Sequence, residues 1–293
     1  MKQRSLQFRR SLNGYLFILP AMIMLVWWGI FPLLYAGYIS LHHWNLLSIA
    51  KPYIGLANYV TLLGDSEFWH ALANTAFYSL QIPIGMTLAM LFAVALQKRP
   101  GANAFRTIYY IPNVVAMVVT AMIWRWLYNS DFGVINYLLK SIGLGPVKWL
   151  ASPSIALMSI MIMMIWMTMG YRILMLSTGL NNIPNDYYEA AVVDGANKVQ
   201  LFFHITIPLL QPVLFFVFVT SIIASFQVFD PIWIMTQGGP LGSTEVLVYR
   251  IYKEAWEHLN MGYAAAQSWG LFMILFFFTW LQFRFMGRDT VRY

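Results

Sequence analysis

The sequence predicts an all-α, polytopic membrane protein with about six transmembrane helices and both termini in the cytoplasm, on three observations. Of its 293 residues 60% are hydrophobic and only 10% charged, where a soluble domain carries roughly 25% charged residues. Six apolar stretches each reach the roughly 20 residues needed to cross hydrocarbon. The lysines and arginines sit mostly at the ends of those stretches.

The stretches cover residues 13–41, 73–97, 107–128, 154–176, 208–235 and 264–286. Helix is the expected state of each, because a helix satisfies its own backbone in lipid. The first follows the basic start Lys2, Arg4, Arg9 and Arg10, as a signal peptide would. It is too long for one and no small-residue cleavage site follows, so an uncleaved first helix is expected. Lys98 and Arg99 follow the second stretch, with Arg106 just behind, and Arg284, Arg288 and Arg292 lie near the carboxyl end. The opposite loops hold only isolated cations such as Lys51, Lys140 and Lys148. This asymmetry puts both termini, and the segment 177–207, on the cytoplasmic side. The net charge of +7 is topogenic and is no nucleic-acid footprint. The absence of cysteine excludes disulfides, thiolate metal sites and cysteine nucleophiles. Turn residues cluster at Lys51-Pro52, Gly64-Asp65, Gly143-Leu-Gly145-Pro146 and Gly238-Gly239-Pro240, with no long linker or internal repeat. One transmembrane domain over residues 1–293 is the simplest organisation.

The segment 177–207 is polar and rich in small residues, between two long apolar spans. Asp186-Tyr-Tyr-Glu189 has capping-box spacing. A short helix through Ala190 and Ala191 to about Val193 is expected, ended by Gly195 in the left-handed conformation. Asp194 and Ala196 flank that glycine. The apolar run 199–205, with Phe202 and Ile205, restarts a helix toward Pro208, where the fifth span begins. Small residues let a partner backbone approach, and Phe202 and Phe203 are anchors of the kind that dominate interfaces. A docking site for a cytoplasmic partner is one reading. An amphipathic connector on membrane lipid is the other, although Lys198 is the sole base between Asn181 and Pro208.

Glu189-Ala-Ala-x-x-x-Gly195 with Ile205 and Pro208 resembles the cytoplasmic-loop signature of permease subunits of bacterial binding-protein-dependent ABC importers. The likeness to the maltose/glycerol-3-phosphate-type sugar branch extends outward. It includes Leu19-Pro20, Phe31-Pro32, Ile54-Gly-Leu-Ala-Asn58-Tyr59, Asn74-Thr75, Tyr110-Ile-Pro112 and Ile123-Trp124-Arg125-Trp126. It continues in Gly179-Leu-Asn-Asn-Ile-Pro184, Phe226-Gln-Val-Phe-Asp230 and Thr236-Gln-Gly-Gly-Pro240. Val192-Val193 and Ile207 are conservative departures, and Val199 stands where the family often has tryptophan. The resemblance implies a multi-pass subunit of the bacterial plasma (inner) membrane. It would pair with a second, homologous permease, two ATP-binding cassette subunits and an extracytoplasmic solute-binding protein, and pass a carbohydrate by alternating access. Glu189, Ala190, Ala191, Asp194, Gly195, Ala196, Phe202, Ile205 and Pro208 would then form the ATPase-coupling loop. No Gly-Lys dipeptide occurs, so the chain has no Walker phosphate loop. It is expected to bind no cofactor and to have no catalytic residue; ATP and Mg would belong to the partner subunits.

Polar residues inside membrane helices cost enough to be functional by default. Candidates for solute contact are Asn113, Trp166, Tyr171, Ser225, Gln227 and Asp230, with Trp124, Arg125, Thr168, Thr220 and Ser221 nearby. Trp124, Trp126 and Tyr128 equally suit an aromatic belt. Serine and threonine often bond to their own helix or glue helices, and Arg125 and Arg172 can snorkel or pair with carboxylates. Asp230 lies 22 residues beyond Pro208, roughly 33 Å along a helix, near the outer mouth. His42, His43, His70, His204 and His258 lack metal-ligand spacing, and Glu254 and Glu257 suit a solvated face. The same machine importing glycerol-3-phosphate or a polyol is the alternative. An ion-coupled secondary transporter would show mid-membrane carboxylates and broken-helix repeats, and a membrane enzyme a reactive constellation; neither is evident.

Overall fold

The computed structural model describes residues 2–97 and 99–286, with side chains from 14 to 284 except Lys98. Lys98, Arg288 and Arg292 therefore lie outside the described residues, as do the side chains of Lys2, Arg4, Arg9 and Arg10. Five helices are long and apolar enough to cross a membrane: Gly14–Ser40, Ser66–Ala95, Ala156–Asn181, Lys198–Phe226 and Met261–Arg284. They are spans one, two, four, five and six. Span three is a bent pair, Ala102–Val114 and Met117–Leu127, at 94° to each other. The unbroken apolar stretch expected over 107–128 is thus two arms. Val115 and Ala116 are both extended, with ψ of 137° and 136°, and two successive extended residues re-aim the chain.

Spans one and five each absorb a proline through a π-turn. Phe31 N–H donates to the Val26 carbonyl just before Pro32, and Ile207 N–H donates to the Phe202 carbonyl just before Pro208. A proline ring clashes with the carbonyl four residues back and has no N–H to offer it. An i→i−5 bond immediately upstream widens the turn and relieves that clash. Span five therefore begins at Lys198, not at Pro208, and ends at Phe226. Asp230 opens a separate short helix, Asp230–Met235, so the straight 33 Å placement expected from helical rise does not hold.

The chain divides into two compact units. One comprises Met1–Asp65 and Ile251–Phe272. Its first span is exposed from Gly14 to Tyr35 and is covered only at its far end, where Ser40 is buried. A stacked ladder, Trp27–Phe31–Tyr35–Tyr38, runs along that helix with centroid separations of 5.7, 5.9 and 6.1 Å. Gly37 lies against the Trp269 ring. Asn58 donates to the carbonyls of Ser40 and His42 at 2.7 and 3.1 Å, and Tyr263 donates to Asp65 at 2.5 Å.

The other unit comprises Ser66–Arg250 and Met273–Tyr293. Span four is its axis, with span two, the first arm of span three and span five packed on it. Close approach depends on small residues, as in membrane helix packing generally. A Cβ at Gly170 would overlap the Tyr109 carbonyl, and one at Gly179 would press on Leu210 and Val213. Ala89, Ala93, Ile173, Leu176, Leu180 and Leu210 form the apolar cluster at one end of these helices. Elsewhere Asn74 Nδ2 donates to the carbonyls of Gly242 and Glu245 at 3.1 and 3.0 Å, and Leu247 N–H donates to Thr75 Oγ1 at 2.9 Å. Arg250 pairs with Glu67 and Glu245 at 2.6 and 3.1 Å. Asn74-Thr75 and the loop after Gly238 thus form one hydrogen-bonded structure.

Candidate functional site

Two features of the second unit stand out: the loop between spans four and five, and a polar cavity among the helices.

The loop starts at Pro184, which precedes the helix Asn185–Val193. Proline fixes its own φ and lacks an N–H, which suits a helix start. Asp186 consequently lies inside the first turn, where its charge favours the helix dipole, and no side-chain cap forms there. This corrects the capping box expected at Asp186 and Glu189. The helix ends in a full Schellman motif. Ala196 N–H donates to the Ala191 carbonyl at 2.9 Å and Gly195 N–H to the Val192 carbonyl at 3.0 Å, with Gly195 at φ +85°. That geometry is the reason for glycine here. The capping box itself lies four residues further on from Val193. Asn197 Oδ1 accepts from Gln200 N–H at 3.0 Å and Gln200 Oε1 accepts from Asn197 N–H at 2.8 Å, starting the helix Lys198–Leu201.

The two helices enclose a shallow concavity of about 350 Å³ lined by Ala191, Asp194, Gly195, Ala196 and Ile205, among others. Glu189 and Ala190 are exposed, and Pro208 is exposed at the head of span five. Large apolar side chains also face outward, including Val193 at 87% and Phe203 at 60% exposure. Phe202 turns the other way and packs on the apolar cluster with Tyr188. It therefore anchors the loop to its own unit, while Phe203 remains outward; both had been expected to face a partner. Tyr188 Oη lies 3.1 Å from Thr206 Oγ1, tying the loop helix to the π-turn.

The cavity measures about 440 Å³ and is lined by Tyr78 and Gln81 of span two, Thr168, Tyr171 and Arg172 of span four, and Ser221, Ser225, Gln227 and Asp230 beyond. Tyr171, Ser225, Gln227 and Asp230 thus come together. Asn113 and Trp166 do not line it. Asn113 sits just before the bend of span three, and Trp166 packs on Trp124 at 5.4 Å. Tyr128 is buried and donates to the Ser159 carbonyl at 2.9 Å, which makes it a packing residue, whereas Trp126 is exposed. Arg125 donates to the Ile234 carbonyl at 3.0 Å. Thr168 and Thr220 bond to their own helix.

Arg172 does not snorkel: it is 3% exposed, and its guanidinium lies over Gly85, where a Cβ would overlap Nη1. Tyr78 and Gln81, which the sequence reading left out, share with Gly85 one face of span two. Their signal was a polar pair at helical spacing within an apolar run.

A family described as binding-protein-dependent transport system inner membrane component matches residues 81–286. The trehalose/maltose transport system permease protein MalF of Thermococcus litoralis is 37% identical over 241 residues, 82% of each chain. The sn-glycerol-3-phosphate transport system permease protein UgpA of Agrobacterium fabrum is 33% identical over 290 residues, 97% of this chain and 98% of that one. A chain in the crystal structure of a bacterial alginate ABC transporter, in complex with an alginate pentasaccharide-bound periplasmic protein, superposes with a TM-score of 0.84. It covers 97% of both chains at 23% identity, and so shares the fold. The chain belongs to the family of inner membrane components of binding-protein-dependent transport systems.

Proposed function

We propose that this subunit forms half of a carbohydrate translocation pathway, driven through the loop between spans four and five by ATP-binding partner subunits. The observation that carries the reading is the loop's form: two short helices joined by a Schellman turn at Gly195 and a capping box at Asn197, held at one edge by Tyr188 and Phe202, with small and apolar residues left exposed. Exposed apolar surface of this kind marks interaction sites. In this reading the concavity around Ala191, Gly195 and Ala196 seats on an ATPase subunit, which holds ATP and Mg. Closure of two such ATPases draws this loop and that of a homologous permease together. The helix Asn185–Val193 is closed by its own Gly195 turn, and the helix Lys198–Leu201 is the first turn of span five, so movement of the loop passes directly into that span. The helices lining the cavity then switch access from one side to the other, a coupling of two sites through a bistable element. A solute-binding protein delivers the carbohydrate on the far side.

The family and the sugar-transport relatives support this reading over an ion-driven transporter. No carboxylate of the described residues lies in the interior of a spanning helix, where ion coupling commonly places one. Import of glycerol-3-phosphate or a polyol by the same machine is the alternative, given the relative named above.

The test is to purify the assembled complex and measure solute-stimulated ATP hydrolysis for wild type and Gly195→Asp. Nothing lies within 4 Å of a Cβ at Gly195, so the substitution strains the turn, by about 1–2 kcal/mol, without disturbing the packed helices. Stimulated hydrolysis is expected to fall at least about tenfold, the loss of roughly 1.4 kcal/mol of coupling. If no ATPase co-purifies, or hydrolysis is indifferent to the substitution, the coupling reading fails.

A further inference from the structure

The cavity contains more unanswered polar chemistry than its volume requires. Tyr78 Oη, Gln81 Oε1, Ser225 Oγ and both Nε and Nη1 of Arg172 are buried without a hydrogen-bond partner, and all four residues line it. Buried polar atoms in proteins are nearly always paired, and each exception needs a reason. The arginine is the most demanding. A buried charge is costly unless something compensates it, and no carboxylate among the described residues pairs with Arg172. Asp230 lines the same cavity but is exposed and forms no ion pair with it. Gly85 fixes where the guanidinium lies, because any side chain there would displace it.

We infer that the solute carries an anionic group, a carboxylate or a phosphate, that pairs with Arg172 in this cavity while Tyr78, Gln81 and Ser225 complete its hydrogen bonds. The substrate class is an acidic sugar or a sugar or polyol phosphate. Arginine suits such a group because its planar fork matches carboxylate and phosphate oxygens. Tyr78 and Ser225 can donate to the same anion. The Gln81 amide can donate to it or accept from a neighbouring hydroxyl. A neutral sugar would satisfy the hydroxyls and leave the charge unanswered. This inference rests on the importer reading and narrows it.

The experiment is a thermal-shift titration of the purified transporter with digalacturonate, glycerol 3-phosphate and maltose, for wild type, Arg172→Gln and Gln81→Glu. Wild type should bind at least one anionic probe about tenfold or more tightly than maltose, the size of one charge-assisted hydrogen bond. Added salt should weaken that preference, and the two anions distinguish carboxylate from phosphate as the group recognised. Arg172→Gln should abolish the preference. Without ligand it should unfold no earlier than wild type, because it removes an uncompensated charge; a merely structural arginine would lower the unfolding temperature. Gln81→Glu supplies an internal counter-charge from span two, and should stabilise the empty protein and exclude the anions. Maltose binding as well as the anions, or an anion preference that survives Arg172→Gln, overturns the inference, as does a failure of both anions to bind. The importer reading is decided separately, by the Gly195→Asp hydrolysis measurement, and survives any of those outcomes.

Discussion

The loop after span four and the cavity beside Arg172 belong to one unit yet are built by opposite rules. In the loop, the turn between the two short helices is closed within a few residues: Ala196 to Ala191, Gly195 to Val192, Asn197 to Gln200 and back. Most of its side chains face outward, Tyr188 and Phe202 excepted. In the cavity, Tyr78, Gln81, Arg172 and Ser225 come from distant parts of the sequence and meet with hydrogen-bonding atoms unused. A locally closed structure can be moved as a body without losing its shape. A pocket of unanswered groups stays poised for a ligand to complete it. On the reading proposed above, a loop that receives force and a cavity that recognises solute place opposite demands on polar groups: satisfy them at once, or withhold them.

The largest expected effect breaks the cavity side of this comparison. Gly170 brings span four against the backbone of Tyr109 and Tyr110, and backbone cannot step aside. Gly170→Leu should cost about 3 kcal/mol or more by overpacking, so that little folded protein is recovered after gel filtration in detergent. A normal yield with unchanged unfolding temperature would show that these helices are not fixed by that contact. Gly85→Ala is the gentler counterpart. Its Cβ meets the end of a flexible side chain, the Arg172 guanidinium, so the protein should fold. The displaced arginine should weaken binding of an anionic solute about tenfold in the same titration, with the unfolding temperature nearly unchanged. Equal weakening for maltose would point to a general loss of shape instead.

The same contrast explains what the sequence disclosed. Gly195 was legible because a left-handed helix end is a local demand that glycine meets. The six apolar stretches were legible because span length is set by the bilayer. The bend at Val115 and Ala116 was not, since an apolar run is silent about two extended residues within it. The capping box is expected at Asp186 and Glu189 because that pair has the same spacing as Asn197 and Gln200; Pro184 decides between them, because it takes the N-cap position and the helix starts at Asn185, which leaves Asp186 inside the first turn. In the cavity, Tyr171, Ser225, Gln227 and Asp230 were visible as polar residues in or beside apolar spans. Trp166 lies outside this cavity, against Trp124. Asn113 lies just before the bend and outside this cavity. Tyr78 and Gln81 escaped because only the packing of spans two and four brings them to Arg172.

The smallest expected effect sharpens the loop side. Asn197→Ala removes one half of the capping box and should cost about 1 kcal/mol. Because the loop is closed locally, that cost should stay local. Amide hydrogen exchange at Gln200 should accelerate about fivefold, while the exchange of span four and the global unfolding temperature stay at wild-type values. The apolar cluster that holds Tyr188 and Phe202 contains neither Asn197 nor Gln200. Exchange that rises throughout span four would mean the loop is an extension of the helix core and not a separate, locally capped body. On the coupling proposed above, movement of the loop would then deform the helices around the cavity directly, through span four as well as span five.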